Sequence, residues 1–310
     1  MKLVKQEKIF DTAPFAQCHA STILHLGGEN KICAWFGGEK EGENDVRIWF
    51  SRQIEGKWSY PEAIPAVFDL PHWNPVLFET AVGEITLFYK VGASVTEWKT
   101  YFCVTRDGGR TWSYPKELVE GDENDGRGPV KNKPLRHSSG GLLAPASTER
   151  GAWRAFIDSF DGEKWEQSKI PVAEGERINM IQPTLWEDED GEVHALMRTQ
   201  NGYIYRSDSR DGGVTWCQAY PTAVPNNNSG IDCVRLEDGR IALVCNPVAK
   251  GRTPLSLLVS SDGGDSFENI LDLETEPGEF SYPAIVTKGN RIFITYTHKR
   301  QKIAYVEIEV

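Results

Sequence analysis

Nowhere in these 310 residues is there an apolar run long enough to cross a bilayer. The amino-terminal MKLVKQEKIFDTAPF also lacks an apolar core of signal-peptide length, so a soluble protein in the cytoplasm, with no membrane partner, is the expectation. Cysteine is sparse and scattered: Cys18, Cys33, Cys103, Cys217, Cys233 and Cys245, mostly in apolar strand-like runs such as IALVC. No CxxC pair and no Cys/His cluster has metal-ligand spacing, which argues for reduced, buried thiols and for no bound metal or cofactor. Positive charge is in deficit, with 34 Lys and Arg against 45 Asp and Glu and a net charge of -11. A nucleic acid needs a basic face and is excluded as the main partner; a small anion needs only a few well-placed arginines. Sustained apolar stripes at helical spacing are missing too, which removes the all-helical and doubly wound classes.

What the chain does have is turn and strand chemistry. It carries 29 glycines, 17 prolines and 33 aromatics (10 Trp, 10 Tyr, 13 Phe), a mixture that favours strands joined by tight turns. With 39% hydrophobic residues, a core of useful size can form.

One eight-residue pattern recurs. TRDGGRTW (105–112) and SRDGGVTW (209–216) share hydroxyl, Asp, Gly, Thr and Trp in the same places, and SSDGGDSF (260–267) is a third copy. SRQIEGKW (51–58) and SFDGEKW (159–165) are weaker copies in the same register. The closing aromatics Trp58, Trp112, Trp165, Trp216 and Phe267 are 54, 53, 51 and 51 residues apart. A fixed period of this length marks a repeat architecture.

Between the boxes the same order of elements returns: an apolar run ending in a polar turn, a second strand and a third strand. The second strands are KICAWF, ITLFYK, GLLAPA, HALMRT, IALVCN and FITYTH; the third are VRIWFSR, TYFCVTR, WRAFIDS, YIYRSDS, LSLLVSS and IAYVEIE. Each unit reads as a four-stranded antiparallel meander, which cannot cover both its own apolar faces, whereas packing units around an axis does so and protects edges. The expectation is one all-β domain over residues 1–310, a six-bladed β-propeller with KLVKQEKIF closing the ring as the missing outer strand. The Asp-Gly-Gly boxes are then peripheral turns, in which a carboxylate bonds backbone N–H groups and glycine takes positive φ.

In such a fold, ligands meet the residues just before the first strands and those in the second-to-third loops. These points are QCHAS (His19), HWNPV (Asn74), VKNKP (Asn132, Lys133), MIQPT (Gln182), SGIDC (Asp232) and FSYPA (Tyr282), with FGGEKEGENDV (Glu39, Glu41, Glu43, Asp45), MRTQNGYI (Arg198) and NPVAKGRTPL (Arg252). Acids, arginines, an imidazole and a phenol from distant blades suit a sugar site. Asn74, Asn132, Lys133 and Asp232 either touch the ligand or satisfy strand ends.

The boxes resemble those of BNR-repeat (Asp-box) proteins, and the chain is similar to sialidase-type propellers over nearly its whole length. WFGGEKEGENDV, HWNPVLF, LFYKVG, KNKPL, SGID and FSYPAIV resemble the bacterial group named as predicted neuraminidases with a BNR-like domain. The resemblance implies that Arg198 and Arg252 are two members of an arginine triad for a substrate carboxylate, and that Tyr282 is the nucleophile. It implies an acid/base group in the Glu41–Asp45 loop, where Glu41, Glu43 and Asp45 compete and the family pattern favours Glu41 and Asp45. Two positions depart: His19 stands in the place of the first arginine, and Gln182 in the place of the assisting Glu. A Gln cannot take the phenol's proton, so ordinary sialidase chemistry is incomplete.

The expected function is therefore a neuraminidase-like glycosidase acting on a terminal acidic sugar. Tyr282, Asp45, Glu41 and His19 are its catalytic candidates; Arg198, Arg252, Gln182, Asn74, Lys133 and Asp232 are its substrate contacts. A uronic-acid-type lyase using His19 and Tyr282 is one alternative, and a non-catalytic sugar-binding propeller is another.

Overall fold

The computed structural model describes residues 1–123 and 126–310, and among them every regular element is a β-strand. The strands form six antiparallel sheets in chain order. Blade 1 holds Gln17–Gly27, Asn30–Gly38 and Arg47–Ile54 with the short Lys57–Trp58 and Glu62–Ala63. Blade 2 holds His72–Ala81, Glu84–Val91, Lys99–Thr105 and Lys116–Glu117. Blade 3 holds Leu135–Arg136, Leu142–Thr148, Arg154–Phe160 and Trp165–Lys169. Blade 4 holds Met180–Glu187, Val193–Thr199, Tyr203–Ser209 and Tyr220–Pro225. Blade 5 holds Asp232–Arg235, Ile241–Cys245, Leu255–Ser260 and Glu268–Glu274. Blade 6 holds Phe280–Lys288, Arg291–His298 and Lys302–Glu309, and takes its fourth strand, Lys2–Lys8, from the amino terminus, with Gln6 opposite Val306.

The chain forms two compact units, Met1–Lys131 with Pro283–Val310, and Asn132–Tyr282. In the first, Cys18, Ile23, Cys33 and Trp35 of blade 1 pack with Phe293, Ile303 and Tyr305 of blade 6. In the second, Leu143, Ala155 and Ile157 of blade 3 meet Met180, Leu185 and Met197 of blade 4, whose Trp186 and Leu196 join Cys233 and Leu243 of blade 5. Neighbouring blades are also stitched by threonine. Thr297 Oγ1 accepts from Ala20 N (3.1 Å) and Thr22 Oγ1 from Leu77 N (3.1 Å), both in the first unit; Thr184 Oγ1 accepts from Cys233 N (3.0 Å) in the second. A β-branched hydroxyl suits a strand and satisfies a backbone donor on the next sheet.

The Asp boxes are turns that also key one blade into the next. Asp211 accepts from the Thr215 N–H (2.8 Å) and from the Thr215 and Ser209 hydroxyls (2.6 and 2.8 Å). In the copy at 260–266, the hydroxyl of Ser266 and then that of Ser260 hold the Asp262 carboxyl down to about 2. The second glycine of each box lies against the preceding blade: a Cβ on Gly109 would sit 2.7 Å from Ile32 Cδ1, on Gly213 2.9 Å from Leu143 Cδ1, and on Gly264 2.9 Å from Trp186 Cζ2. All three have positive φ, so the position demands glycine twice over. Trp112 meets Phe50 edge-to-face at 5.7 Å, and Trp58 meets Tyr305 at 5.4 Å, each on a neighbouring blade.

The weak copies behave differently. Glu55 and Gly56, both at positive φ, make a two-residue hairpin turn in blade 1, where no box Asp exists. Trp165 stacks on Phe160 of its own blade (4.9 Å), because the box with one residue deleted cannot carry it to the neighbour. Cys217 is exposed, unlike the other five cysteines, since its turn lies at the rim of blade 4.

Gly213→Ala should lower stability by about 1–3 kcal/mol from backbone strain plus the Leu143 clash. Gly162→Ala, at a positive φ with nothing within 4 Å, carries the strain alone. Chemical denaturation should therefore rank Gly213→Ala clearly below Gly162→Ala; equal midpoints would mean the box does not key the blades.

Candidate functional site

The first strands begin with a distortion. Ala20, Asn74, Lys131, Gln182 and Tyr282 are non-glycine residues at positive φ, four of them two or three residues into their blade's first strand and Lys131 just ahead of it. The strand pairing slips at the same points, between His19 and Thr22, Trp73 and Val76, and Ile181 and Thr184. Proline follows at three of them (Pro75, Pro183, Pro283), and a residue without an N–H fits a bulge better than a ladder. A bulge re-aims the side chain of the kinked residue. Asn132 fixes one kink from blade 3, its Nδ2 donating to Gln182 O (3.0 Å) and Pro183 O (2.9 Å). Asn246 fixes the entry to blade 6, donating to Pro254 O (2.8 Å) and Phe280 O (2.9 Å).

Within the unit Asn132–Tyr282, these kinks assemble a cluster. Arg198, at the end of the second strand of blade 4, is 5% exposed. Its Nη1 donates to Gln182 Oε1 (3.1 Å) and to the Tyr282 hydroxyl, and its Nε donates to Asn228 Oδ1 (3.1 Å). The guanidinium lies 5.6 Å from the Trp153 ring centre and 5.5 Å from that of Tyr282. Arg252 sits 5.6 Å from the same phenol ring, so two cations flank Tyr282. Their settings differ. Arg252 is ion-paired to Glu279 (2.5 Å) and donates to Ser281 Oγ (3.3 Å). Among the described residues Arg198 donates to an amide, another amide and a phenol, none of them a carboxylate. A buried guanidinium without a counter-charge is costly, and an incoming carboxylate would relieve it through a forked pair of hydrogen bonds.

Sequence reasoning singled out Arg198, Arg252, Gln182 and Tyr282, and the structure brings these four together. It also places Trp153, Asn228 and Glu279 there, which that reasoning missed. Glu279 carried the one available signal, an acid three residues before Tyr282 in PGEFSYP. Lys133 and Asp232 take a different place: Lys133 Nζ bonds both Asp232 oxygens (2.9 and 3.0 Å) and Cys233 O (2.8 Å), and Asp232, 2% exposed, also accepts from Thr184 (2.7 Å). They join blade 3 to blade 5 as a pair.

The remaining candidates belong to the other unit. His19 is 2% exposed and meets Phe36 edge-to-face at 5.7 Å. Glu41 is paired with Arg300, whose carbonyl accepts from Cys18 N (2.8 Å). Asp45 Oδ2 accepts from Glu39 N (2.7 Å), which closes the 39–45 loop on itself. Asn74 is buried at its kink, with φ 42°. His19, Glu41 and Asp45 thus take separate partners.

Asp188, Glu192 and His194 bring possible ligand atoms within 4.8 Å of one another. The imidazole is already held there, by Asp208 (2.6 Å) and Asp188 (3.1 Å). Burial pushes its pKa down, and the bonds to Asp208 and Asp188 outweigh that and raise it. With Arg206 on Asp208 (2.8 Å), the group reads as a blade-4 charge network.

The BNR repeat-like domain matches residues 30–294. No curated protein matches the chain. Among solved structures, a Dyadobacter fermentans protein of unknown function is similar over 100% of this chain and 99% of its own, with a TM-score of 0.79 at 17% identity. A Hadza microbial sialidase gives 0.78 at 16% identity over 95% of this chain, which spans 66% of that one. The intramolecular trans-sialidase from Ruminococcus gnavus, in complex with oseltamivir carboxylate, gives 0.72 at 13% identity over 100% and 98%. The shared fold is the six-bladed β-propeller of sialidases.

Lys133→Met removes the ammonium that bonds both oxygens of the buried Asp232 and should cost on the order of 3 kcal/mol in stability. Binding of an acidic sugar, measured by calorimetry below the melting range, should be unchanged; a specific loss of affinity would return Lys133 to the ligand.

Proposed function

We propose, for a chain that belongs to the BNR repeat-like family, that it is a sialidase-like carbohydrate-active protein which binds a terminal acidic sugar by its carboxylate. The observation that carries this reading is Arg198: buried, aimed by Gln182 and Asn228, and bonded only to neutral acceptors. Arg252 supplies the second fork, and Trp153 and Tyr282 offer ring faces to a sugar. The Ruminococcus gnavus neighbour carries a carboxylate ligand, which supports the same chemistry here.

Turnover is limited by residue 182. Arg198 Nη1 reaches both Gln182 Oε1 and the Tyr282 hydroxyl, and the side chain at 182 is an amide, which is too weak a base to take the phenol's proton. Tyr282 can bear on the anomeric carbon only if its proton goes elsewhere. The reading is therefore tight recognition with slow glycosidic chemistry.

Arg198→Met should weaken N-acetylneuraminic acid by about 100-fold while leaving its methyl ester unchanged. The same variant should be no less stable than the parent without ligand, because it removes a buried charge that has no counter-ion. Equal losses for acid and ester, or a large loss of stability, would make Arg198 a structural post. Gln182→Glu should raise hydrolysis of a chromogenic sialoside and weaken acid binding, since the new carboxylate competes for Arg198; no gain in turnover would remove Tyr282 from the chemistry.

A further inference from the structure

The turn after the short first strand of blade 3, HSSGG (137–141), carries a second set of chemical groups that shares no residue with the arginine site. We infer that His137, Ser139 and Glu187 form an acyl-transfer site for small carboxylic esters. Ser139 N donates to His137 Nδ1 (3.3 Å), which makes Nδ1 the acceptor nitrogen and leaves the ring hydrogen on Nε2. Nε2 faces the Gly191 carbonyl (3.4 Å) and the Glu187 carboxylate (3.5 Å). Ser139 Oγ lies 2.6 Å from Nδ1, closer than the backbone N–H, so its hydroxyl is the nearer of the two donors sharing that nitrogen's one lone pair. Carboxylate, imidazole and hydroxyl thus stand in the order that activates a serine.

The parts are held. Glu187 is anchored by the Ser138 N–H (3.0 Å) and by the Ser138 hydroxyl. Gly212 of the next Asp box lies beside the imidazole, where an added Cβ would come within 3.0 Å of His137 Cε1. Ser139 is exposed and lines an open cleft of ≈ 150 Å³ together with Phe160 and Lys164. The phenyl ring is a wall for a short apolar group, and the Lys164 ammonium, paired with Glu166, lines the same cleft. The reaction needs only ester and water. Ser139 Oγ bonds to the acyl carbon as its proton passes to His137 Nδ1; the C–O bond to the alcohol breaks and the alkoxide takes that proton. Water, deprotonated by His137, then displaces the serine and releases the acid.

A fluorophosphonate probe on the folded protein, mapped by peptide mass spectrometry, tests this directly. The expected result is a single adduct on Ser139, absent after heat denaturation and absent in Ser139→Ala. His137→Asn should slow labelling by at least about 100-fold. Glu187→Gln, which keeps a bond to Ser138, should slow it less and shift its pH profile, with Glu187→Asp restoring the rate; these readouts separate a positioning carboxylate from a merely structural one. Hydrolysis of p-nitrophenyl acetate should fall with the same variants. No adduct on Ser139, or an adduct formed as fast in His137→Asn and Glu187→Gln, overturns the inference and leaves the hydrogen bonds as those of a surface turn. Ser139→Ala, at an exposed turn position, keeps the test valid if the His137 variant fails to fold.

Discussion

The start of each blade's first strand is the constraint from which the rest follows. A side chain at positive φ is strained by about 1–3 kcal/mol, yet the chain accepts it at Ala20, Asn74, Lys131, Gln182 and Tyr282. Strain of this kind persists only where surrounding bonds over-determine it. Asn132 grips the carbonyls of Gln182 and Pro183, and Asn246 grips that of Phe280. The benefit is directional: the kinks at Gln182 and Tyr282 bring an amide and a phenol onto a single nitrogen of Arg198.

That arrangement sets up an electrostatic imbalance within one unit of the chain. Arg252 has Glu279 as its counter-ion, whereas Arg198 has only neutral partners. A poorly solvated cation thus stands beside a neutralised one, and on the proposed reading the first would recruit the anion and the second add geometry. Gln182 fits this division, since an amide orients Arg198 without discharging it, where a carboxylate would do both.

Much of the fold was legible because the Asp box is chemically demanding. Asp211, Thr215 and Gly213 each answer a separate requirement, so the pattern survives repetition and sets the period, while the six second strands give the number of blades. Where the pattern weakens, the structure departs: residues 51–58 form a plain hairpin, and Trp165 stays on its own blade. Arg198, Arg252, Gln182 and Tyr282 were legible from their places at strand ends. The bond between Lys133 and Asp232 was not legible, because two charges 99 positions apart carry no sign of their pairing. Trp153 and Asn228 lay in loops whose side-chain directions depend on contacts between blades, and no local pattern reports those. His19, Glu41 and Asp45 read as chemistry from charge and spacing, while their packing shows a buried ring, an ion pair with Arg300 and a loop closure.

The most direct measurement is a crystal structure of the protein soaked with N-acetylneuraminic acid. The account requires the sugar carboxylate to lie about 2.7–2.9 Å from guanidinium nitrogens of both Arg198 and Arg252, with the ring near Trp153 and Tyr282. A carboxylate facing solvent, or a sugar bound at full occupancy away from Arg198, would contradict it.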